Sequence, residues 1–389
     1  MYFSKASLHP PVIVSPEHKA AIENALPTLI RELRPQTRLA EQSLENFELP
    51  LTTVSLNSNF DAYIDIFFKD APTTSAVRLL LDSGNSVLVV PRWEDIEALP
   101  NSNVNYQILG KSSEPWGCPA NVVRGPINLA TTSGEAYSLE DCVFYACTDN
   151  SPTDGSRTAN FGAGCLSPWT ASGWNTPLGI GVTMQAPFSY NHSYPHVEFN
   201  YAPAADIHGV AHLPKVALGS SLKIYKNKPP GYQMFNIIPN IEWMSLMPKT
   251  LRIGDTRTQW PGTVPSPIAM IDTGGGPVFL SDPNGYIYGT QWPDPVANPT
   301  WTSNSLDCQS TSDVIAIELG DQDNSFSYTI DTSFLPPTVQ GLTLVMCKLN
   351  YYMMGQQGMN IGGISALENF ILVDFANCQV GLKSKGQGV

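Results

Sequence analysis

Two short turns in this chain place a carboxylate where it can act: Leu81-Asp82-Ser83-Gly84 and Ile271-Asp272-Thr273-Gly274. In each, an apolar run delivers the Asp to a strand end. A hydroxyl follows that can anchor the turn, and a Gly permits a tight backbone. One such turn carries little information. Two of them, one in each half of the chain and 190 residues apart (272 − 82), imply two carboxylates facing each other across a cleft. Close like charges cannot both ionise cheaply. Such a pair therefore holds a proton between its members and serves as acid and base toward a water molecule.

The elements that must hold these turns read as strands. Residues 61–68 alternate apolar and polar, Val77 to Leu81 leads into Asp82, and Val87 to Pro91 leaves it. Segments 104–109, 122–131 and 135–147 continue as hairpin material, and strand signals return at 196–201 and 214–218. The second half repeats the logic. Ile268 to Ile271 leads into Asp272 and Pro277 to Leu280 leaves it, followed by strand signals at 314–319, 327–330, 342–347, 370–375 and 380–382. This is a degenerate internal duplication with one Asp turn per half.

The first 50 residues differ. Ser15-Pro16-Glu17 reads as a helix start, and Ala21, Ile22, Ala25, Leu26, Leu29, Ile30 and Leu33 follow helical spacing, with Pro27 interrupting and Pro35 ending the run. The expectation is a helical brace on the main body or, alternatively, an inhibitory prosegment. The expected organisation is thus an N-terminal extension over 1–50, a β lobe over 51–200 and a second β lobe over 201–389.

The bulk composition bounds the function. The chain has 389 residues, 42% hydrophobic and only 14% charged, with 33 Pro and 30 Gly, which suits short strands and many turns. A net charge of −13 argues against a nucleic-acid partner and an anionic membrane surface. No apolar run is long enough for a membrane span. The opening residues MYFSKASLHPPVIV lack a signal core, so a cytoplasmic protein is expected unless a signal has been removed. A monomer is expected. Seven cysteines, an odd number with no CxxC pair, leave at least one without an intrachain partner and oppose a zinc site. Cys142 and Cys147 are five apart and would need a bend to pair. His192/His196 and His208/His212 are spaced by four, but Pro195 and Gly209 interrupt them and neither pair has the Glu of a zinc-protease helix. No metal and no cofactor are expected.

Several of these patterns together resemble the pepsin-like aspartic protease family. They are Leu81 to Pro91 around the first turn, Ala269 to Gly274 around the second, and the C-terminal Asn360-Ile361-Gly362-Gly363, Phe370 to Phe375 and Cys378-Gln379-Val380-Gly381-Leu382. Phe161-Gly162-Ala163-Gly164 looks like the first-half counterpart of the Asn360 to Gly363 segment. Cys308 and Cys347 fall where the family has a disulfide of its C-terminal lobe. The resemblance spans roughly residues 60 to 384 and implies a mostly β, bilobal fold with a central cleft. It implies Asp82 and Asp272 as the catalytic pair, Ser83 and Thr273 tying the turns together, and Gly84 and Gly274 offering N–H groups to the carboxylates. A peptide or small molecule would occupy the inter-lobe cleft.

The chain also departs from that family. Where a Ser usually supports the first carboxylate stands Asn85, which can still donate, and the matching Thr or Ser of the second turn is Gly275. One hydrogen bond to Asp272 is therefore expected to be lost unless another group replaces it, which would move the pair toward its protonated form. The family's cleft-covering hairpin carries a Tyr bonded to a Trp; Val89 stands at the Trp position and no Tyr-Gly-Thr-Gly pattern occurs. A rebuilt flap is expected, with Tyr106, Gly110 and Trp116 as its candidates. The first expectation of function is an aspartic endopeptidase. The altered flap and Gly275 make non-proteolytic acid/base work on a small molecule, such as a cyclisation, the alternative. A non-catalytic binding or inhibitor-like module comes third.

Overall fold

Alternation in the sequence becomes alternation in space along Ala62–Phe68, where Ala62, Ile64, Ile66 and Phe68 are buried and the residues between them are partly exposed. Each aliphatic side chain so buried contributes about 1.5–3 kcal/mol. A strand with one dry face needs partners in one register, because a one-residue slip would turn that face to water. The computed structural model describes residues 46–53, 62–72, 75–112, 118–148, 160–165, 185–201, 220–238, 244–259, 268–275, 278–281, 301–305, 308–311, 313–330, 344–347, 358–363 and 365–385. Among them the chain is mostly β, as expected, with only short helical turns at Glu94–Glu97, Ser102–Asn105, Pro187–Tyr190 and Ser365–Glu368.

The strands form three sheets. The eight-stranded sheet contains Val77–Asp82 and the ten-stranded sheet contains Ile268–Ile271. Asp82 ends the first of these strands and Asp272 directly follows the second, so each Asp turn belongs to its own sheet. The two sheets repeat one local design. Val77–Asp82 runs parallel to Asn160–Gly162, which in turn pairs antiparallel with Leu88–Val90. Ile268–Ile271 likewise runs parallel to Gly358–Ile361, which pairs antiparallel with Val278–Ser281. The registers correspond position by position: Leu80↔Asn160 and Val89↔Asn160 in one half, Met270↔Asn360 and Phe279↔Asn360 in the other. The duplication read from the sequence is therefore present in the strand pairing.

The third sheet has six strands and draws on the whole chain. Asn46–Pro50, His196–Asn200, Ser221–Tyr225, Gln233–Asn236, Asn369–Asp374 and Gln379–Ser384 lie in it. The expected boundaries at 50 and 200 thus both cut into one sheet. The end of the expected N-terminal extension is a strand, paired with Ser221–Tyr225. The helix expected over residues 16–35 lies outside the described residues, as do the strand signal at 214–218 and His208 and His212.

A disulfide joins Cys165 to Cys378, 213 residues apart. It ties the segment just beyond Asn160–Gly162 to the turn between the last two strands of the six-stranded sheet. No local pattern announces a bond over that separation. Cys308 and Cys347 stand directly opposite each other in the antiparallel pairing of Cys308–Thr311 with Leu344–Cys347. Cys118, Cys142 and Cys147 are buried free thiols. Among the described residues, no helix is long and apolar enough to cross a membrane.

Candidate active site

The two Asp turns meet. Ser83 and Thr273 lock them together by reciprocal hydrogen bonds: the Ser83 N–H donates to Thr273 Oγ1 at 3.1 Å and the Thr273 N–H donates to Ser83 Oγ at 2.9 Å. Each hydroxyl then donates across the same junction. Ser83 Oγ reaches the carbonyl of Ile271 at 2.9 Å, and Thr273 Oγ1 reaches that of Leu81 at 3.3 Å. Both side chains are fully buried. Four buried bonds thus leave no hydroxyl or turn N–H of this pair unsatisfied, which is what makes a polar junction tolerable in a dry place. The anchoring role expected of Ser83 and Thr273 is the one their side chains perform.

The glycines are fixed by proximity. A Cβ on Gly84 would stand 2.6 Å from Cγ of Asp272, and one on Gly274 would stand 2.6 Å from Cγ of Asp82. Any side chain at either position would displace the opposite carboxylate. The Gly84 N–H donates to Asp82 Oδ1 at 2.8 Å, and the Gly274 N–H to Asp272 Oδ1 at 3.0 Å, as expected. Asp272 Oδ1 receives a second backbone donor, the Gly275 N–H at 3.1 Å.

The outer oxygens are held differently from the expectation. Asn85 does not donate to Asp82. Its Oδ1 accepts the Val87 N–H at 3.1 Å and its Nδ2 donates to Asn160 Oδ1 at 3.3 Å. The donor to Asp82 Oδ2 is Asn160 Nδ2, at 2.7 Å. In the second half, Asn360 Nδ2 donates to Asp272 Oδ2 at 2.6 Å. The hydrogen bond expected to vanish with Gly275 is therefore supplied from the neighbouring strand. Asn160 and Asn360 sit at corresponding positions of the duplicated strand pairing. Their signal in the sequence is the repeat Asn-Phe-Gly at 160–162 and Asn-Ile-Gly at 360–362. Sequence reasoning used the glycines of both segments and overlooked the asparagines.

Asp82 and Asp272 are each partly exposed yet crowded by protein. Burial is the largest influence on Asp82, followed by the negative charge of Asp272 and a hydrogen bond between the two carboxyls. Together they push its carboxyl well above the usual range, against the pull of Asn160 and the Gly84 N–H. At moderately acid pH the pair consequently keeps a proton that an isolated Asp would lose. Among the described residues, no group of three or more His, Cys, Asp or Glu is arranged to hold a metal.

One flap candidate, Tyr106, lands elsewhere in the structure. Tyr106 is a core residue, 3% exposed. Its hydroxyl accepts the Lys69 N–H at 2.7 Å and donates to the Pro126 carbonyl at 3.1 Å, and its ring meets Phe68 edge-on. It cannot serve as a lid, because both hydroxyl functions are used inside the sheet. Gly110 lies in the edge strand Gln107–Ser112, beside the register shift against Ala120–Ala130. Trp116 falls outside the described residues. Val89 is fully buried in an apolar cluster with Val87, Cys118, Ala120, Val122, Val143, Tyr145 and Cys147. The place where the resemblance would put a Trp is thus filled by aliphatic packing. No known family profile matches this chain, and no curated protein matches it.

Proposed function

We propose that the chain is an aspartic endopeptidase of bilobal, pepsin-like fold, with Asp82 and Asp272 as its catalytic pair. The observation that carries this reading is the junction of the two turns. Two carboxylates from opposite halves of the chain are brought together by four Ser83 and Thr273 hydrogen bonds and by two glycines with no room for a Cβ. Holding two like charges together costs folding energy, and such an arrangement has a chemical use where one proton must be given and another taken. The eight- and ten-stranded sheets are the two lobes of this reading, and the substrate lies over the pair.

The mechanism follows from the shared proton. The ionised carboxyl takes a proton from an attacking water, while the protonated one gives its proton to the oxygen of the scissile carbonyl. The tetrahedral diol then collapses: the protonated carboxyl gives its proton to the leaving amine, the ionised one takes a hydroxyl proton from the diol, and the pair regains its starting charge. Asn160 and Asn360 hold the outer oxygens of the starting pair in place. No covalent intermediate is required. The test is cleavage of a peptide library at several acid pH values by the wild type, Asp82→Asn and Asp272→Asn. Cleavage by the wild type alone supports the reading. Cleavage that survives both substitutions, or none by the wild type, overturns it.

A second reading has its own observation. The buried Tyr106 and the apolar cluster around Val89 leave the described part of the first sheet without a polar flap pair. A catalytic pair without that pair suits acid/base work on a non-peptide carbonyl or enol of a small molecule. Turnover of such a compound, lost in Asp82→Asn, with no cleavage in the peptide library, selects this reading.

A further inference from the structure

The two asparagines that face the carboxylates are not equivalent. Asn160 has both ends engaged, and the order of donors fixes which end faces Asp82. The Val87 N–H can only donate, so Asn85 must turn its Oδ1 toward it. Asn85 Nδ2 then faces Asn160, which must answer with Oδ1. Only Nδ2 of Asn160 is left for Asp82 Oδ2. Turning the Asn160 amide over would set two NH₂ groups against each other and an oxygen against a carboxylate oxygen.

Asn360 has no such lock. The position of Asn85 is taken by Gly275, which has no side chain to pin the amide. Asn360 is 1% exposed, and among the described residues its Oδ1 has no hydrogen-bond partner. A buried amide oxygen without a partner is costly, and it lies beside the reacting pair. A Cβ on Gly275 would sit 3.2 Å from Asp272 Oδ2, 3.4 Å from Asn360 Nδ2 and 3.5 Å from Asn360 Oδ1, so both ends of that amide border the space that Gly275 leaves without a side chain. Rotation about the terminal torsion of an Asn exchanges its two ends at little cost when neither is pinned.

A carboxyl oxygen without a proton needs a donor opposite it, and one with a proton needs an acceptor. Asn160 can offer Asp82 only a donor; Asn360 can offer Asp272 either. We propose that Asn360 is a positioning residue that follows the proton on Asp272. It presents Nδ2 to the ionised outer oxygen and turns to present Oδ1 when that oxygen is protonated. The first proton of the pair lies on the inner edge, between the two carboxyls. A second proton, taken up from solvent in acid or from the attacking water, goes to Asp272 Oδ2 and not to Asp82 Oδ2. This assigns the outer-oxygen proton to the second half of the chain. It rests on the reading of the two Asp residues as a working pair, and it holds whether a peptide or a small molecule is attacked.

The ionisable surroundings of Asn360 are few. Its strand lies between Ile268–Ile271 and Val278–Ser281, neither of which carries an ionisable side chain. Asp272 follows the first of these strands and Asp82 stands across the turn. A pH-dependent change at Asn360 therefore reports on the pair.

The experiment is a pH titration of the side-chain amide signals in the ¹⁵N–¹H spectrum of the full-length protein. The Asn160 and Asn360 pairs are identified by their loss in Asn160→Leu and Asn360→Leu, or in the Gln variants if Leu does not fold. The expected result is one large titration step at Asn360 in the acid range, abolished in Asp272→Asn, with Asn160 showing only the smaller shift that protonation of its partner Asp82 causes. Asn85→Gly should transfer the behaviour, because Asn160 Oδ1 would then lose the Asn85 Nδ2 that pins it. A larger movement at Asn160 than at Asn360, equal movement of both, or a silent Asn360 would each overturn the proposal. No substrate is involved, so the outcomes separate. A titrating Asn360 without peptide cleavage removes the peptidase and keeps the proton assignment, and cleavage with a silent Asn360 does the reverse.

Discussion

The floor of the candidate site and the hairpin beside it obey different rules. On the floor, the N–H and hydroxyl of Ser83 and of Thr273 are matched across the junction, and the same strand register occurs twice. In the hairpin of Gln107–Ser112 and Ala120–Ala130, the aromatic residue best placed to be a lid is sunk in the core, and the neighbouring cluster is apolar. A floor that holds two repelling charges is intolerant of change, because removing one partner leaves another buried and unpaired. An apolar hairpin base loses only packing when it varies. On the proposed reading, the chemistry is fixed by the floor and the choice of substrate is set by what surrounds it.

The largest effects should come from breaking the floor. Asp82→Asn and Asp272→Asn should each lower turnover by about 10²–10⁴, the usual share of general acid/base catalysis. Asp82→Asn should at the same time make the fold more stable at neutral pH. The folded Asp82 carboxyl sits well above its ordinary value of 3.8. Its contribution to stability is thus fully present below that value and is lost as pH rises through the raised one. Melting curves should show the variant above the wild type near neutrality, by roughly 2–4 °C for each kcal/mol of relieved repulsion, with the gap closing in acid. Equal melting at both pH values would contradict the burial argument for Asp82. Gly274→Ala should rank next. Its Cβ would stand 2.6 Å from Cγ of Asp82, so activity should fall with the two Asp side chains still present, and the same should hold for Gly84→Ala.

Much of this floor was legible in the residues. The Asp-hydroxyl-Gly turns gave the pair, its anchors and its close backbone, because each demand is local and recurs in both halves. The Asn85 expectation failed because a side chain's direction depends on its neighbour. The Val87 N–H claims Asn85 Oδ1, and the amide then has only Asn160 to reach. The roles of Asn160 and Asn360 were hidden for a related reason, since each lies some 80 residues from the carboxylate it serves and approaches it only through sheet register. The Cys165–Cys378 bond spans 213 residues and left no local trace. Tyr106 was misread because a Tyr before a glycine-bearing strand looks the same whether its hydroxyl faces a cleft or a backbone. The Cys308 and Cys347 expectation has directly opposed backbone positions behind it, and peptide mapping without reductant should recover the two as one linked pair.

Thr273→Val tests the junction without touching a carboxylate. It removes the acceptor for the Ser83 N–H and the donor to the Leu81 carbonyl and leaves both buried groups unpaired. A loss of about 1–3 kcal/mol in stability is expected, accompanied by reduced turnover, because the separation of the carboxylates depends on this contact. Chemical denaturation and steady-state kinetics on the same preparation measure both. Unfolding that weakens with turnover unchanged would show that the junction holds the fold and not the pair.

Tyr106→Phe applies the same reasoning to the hairpin, and its expected effect is the smallest. The substitution keeps the ring against Phe68 and deletes only the hydroxyl, which accepts from the Lys69 N–H and donates to the Pro126 carbonyl. Lys69 is exposed, so water can recover part of the loss at its N–H, while the Pro126 carbonyl is buried, and about 1–2 kcal/mol of stability should disappear. A lid residue would behave in the opposite way, since deleting its hydroxyl would raise KM or lower kcat while leaving unfolding nearly unchanged. Measuring denaturation midpoints and kinetics side by side therefore decides between the two positions for the hydroxyl. A catalytic defect without a stability defect would return Tyr106 to the cleft and restore a polar flap to this molecule. The expected stability defect without a catalytic one leaves the floor as the part of the described structure on which the chemistry depends.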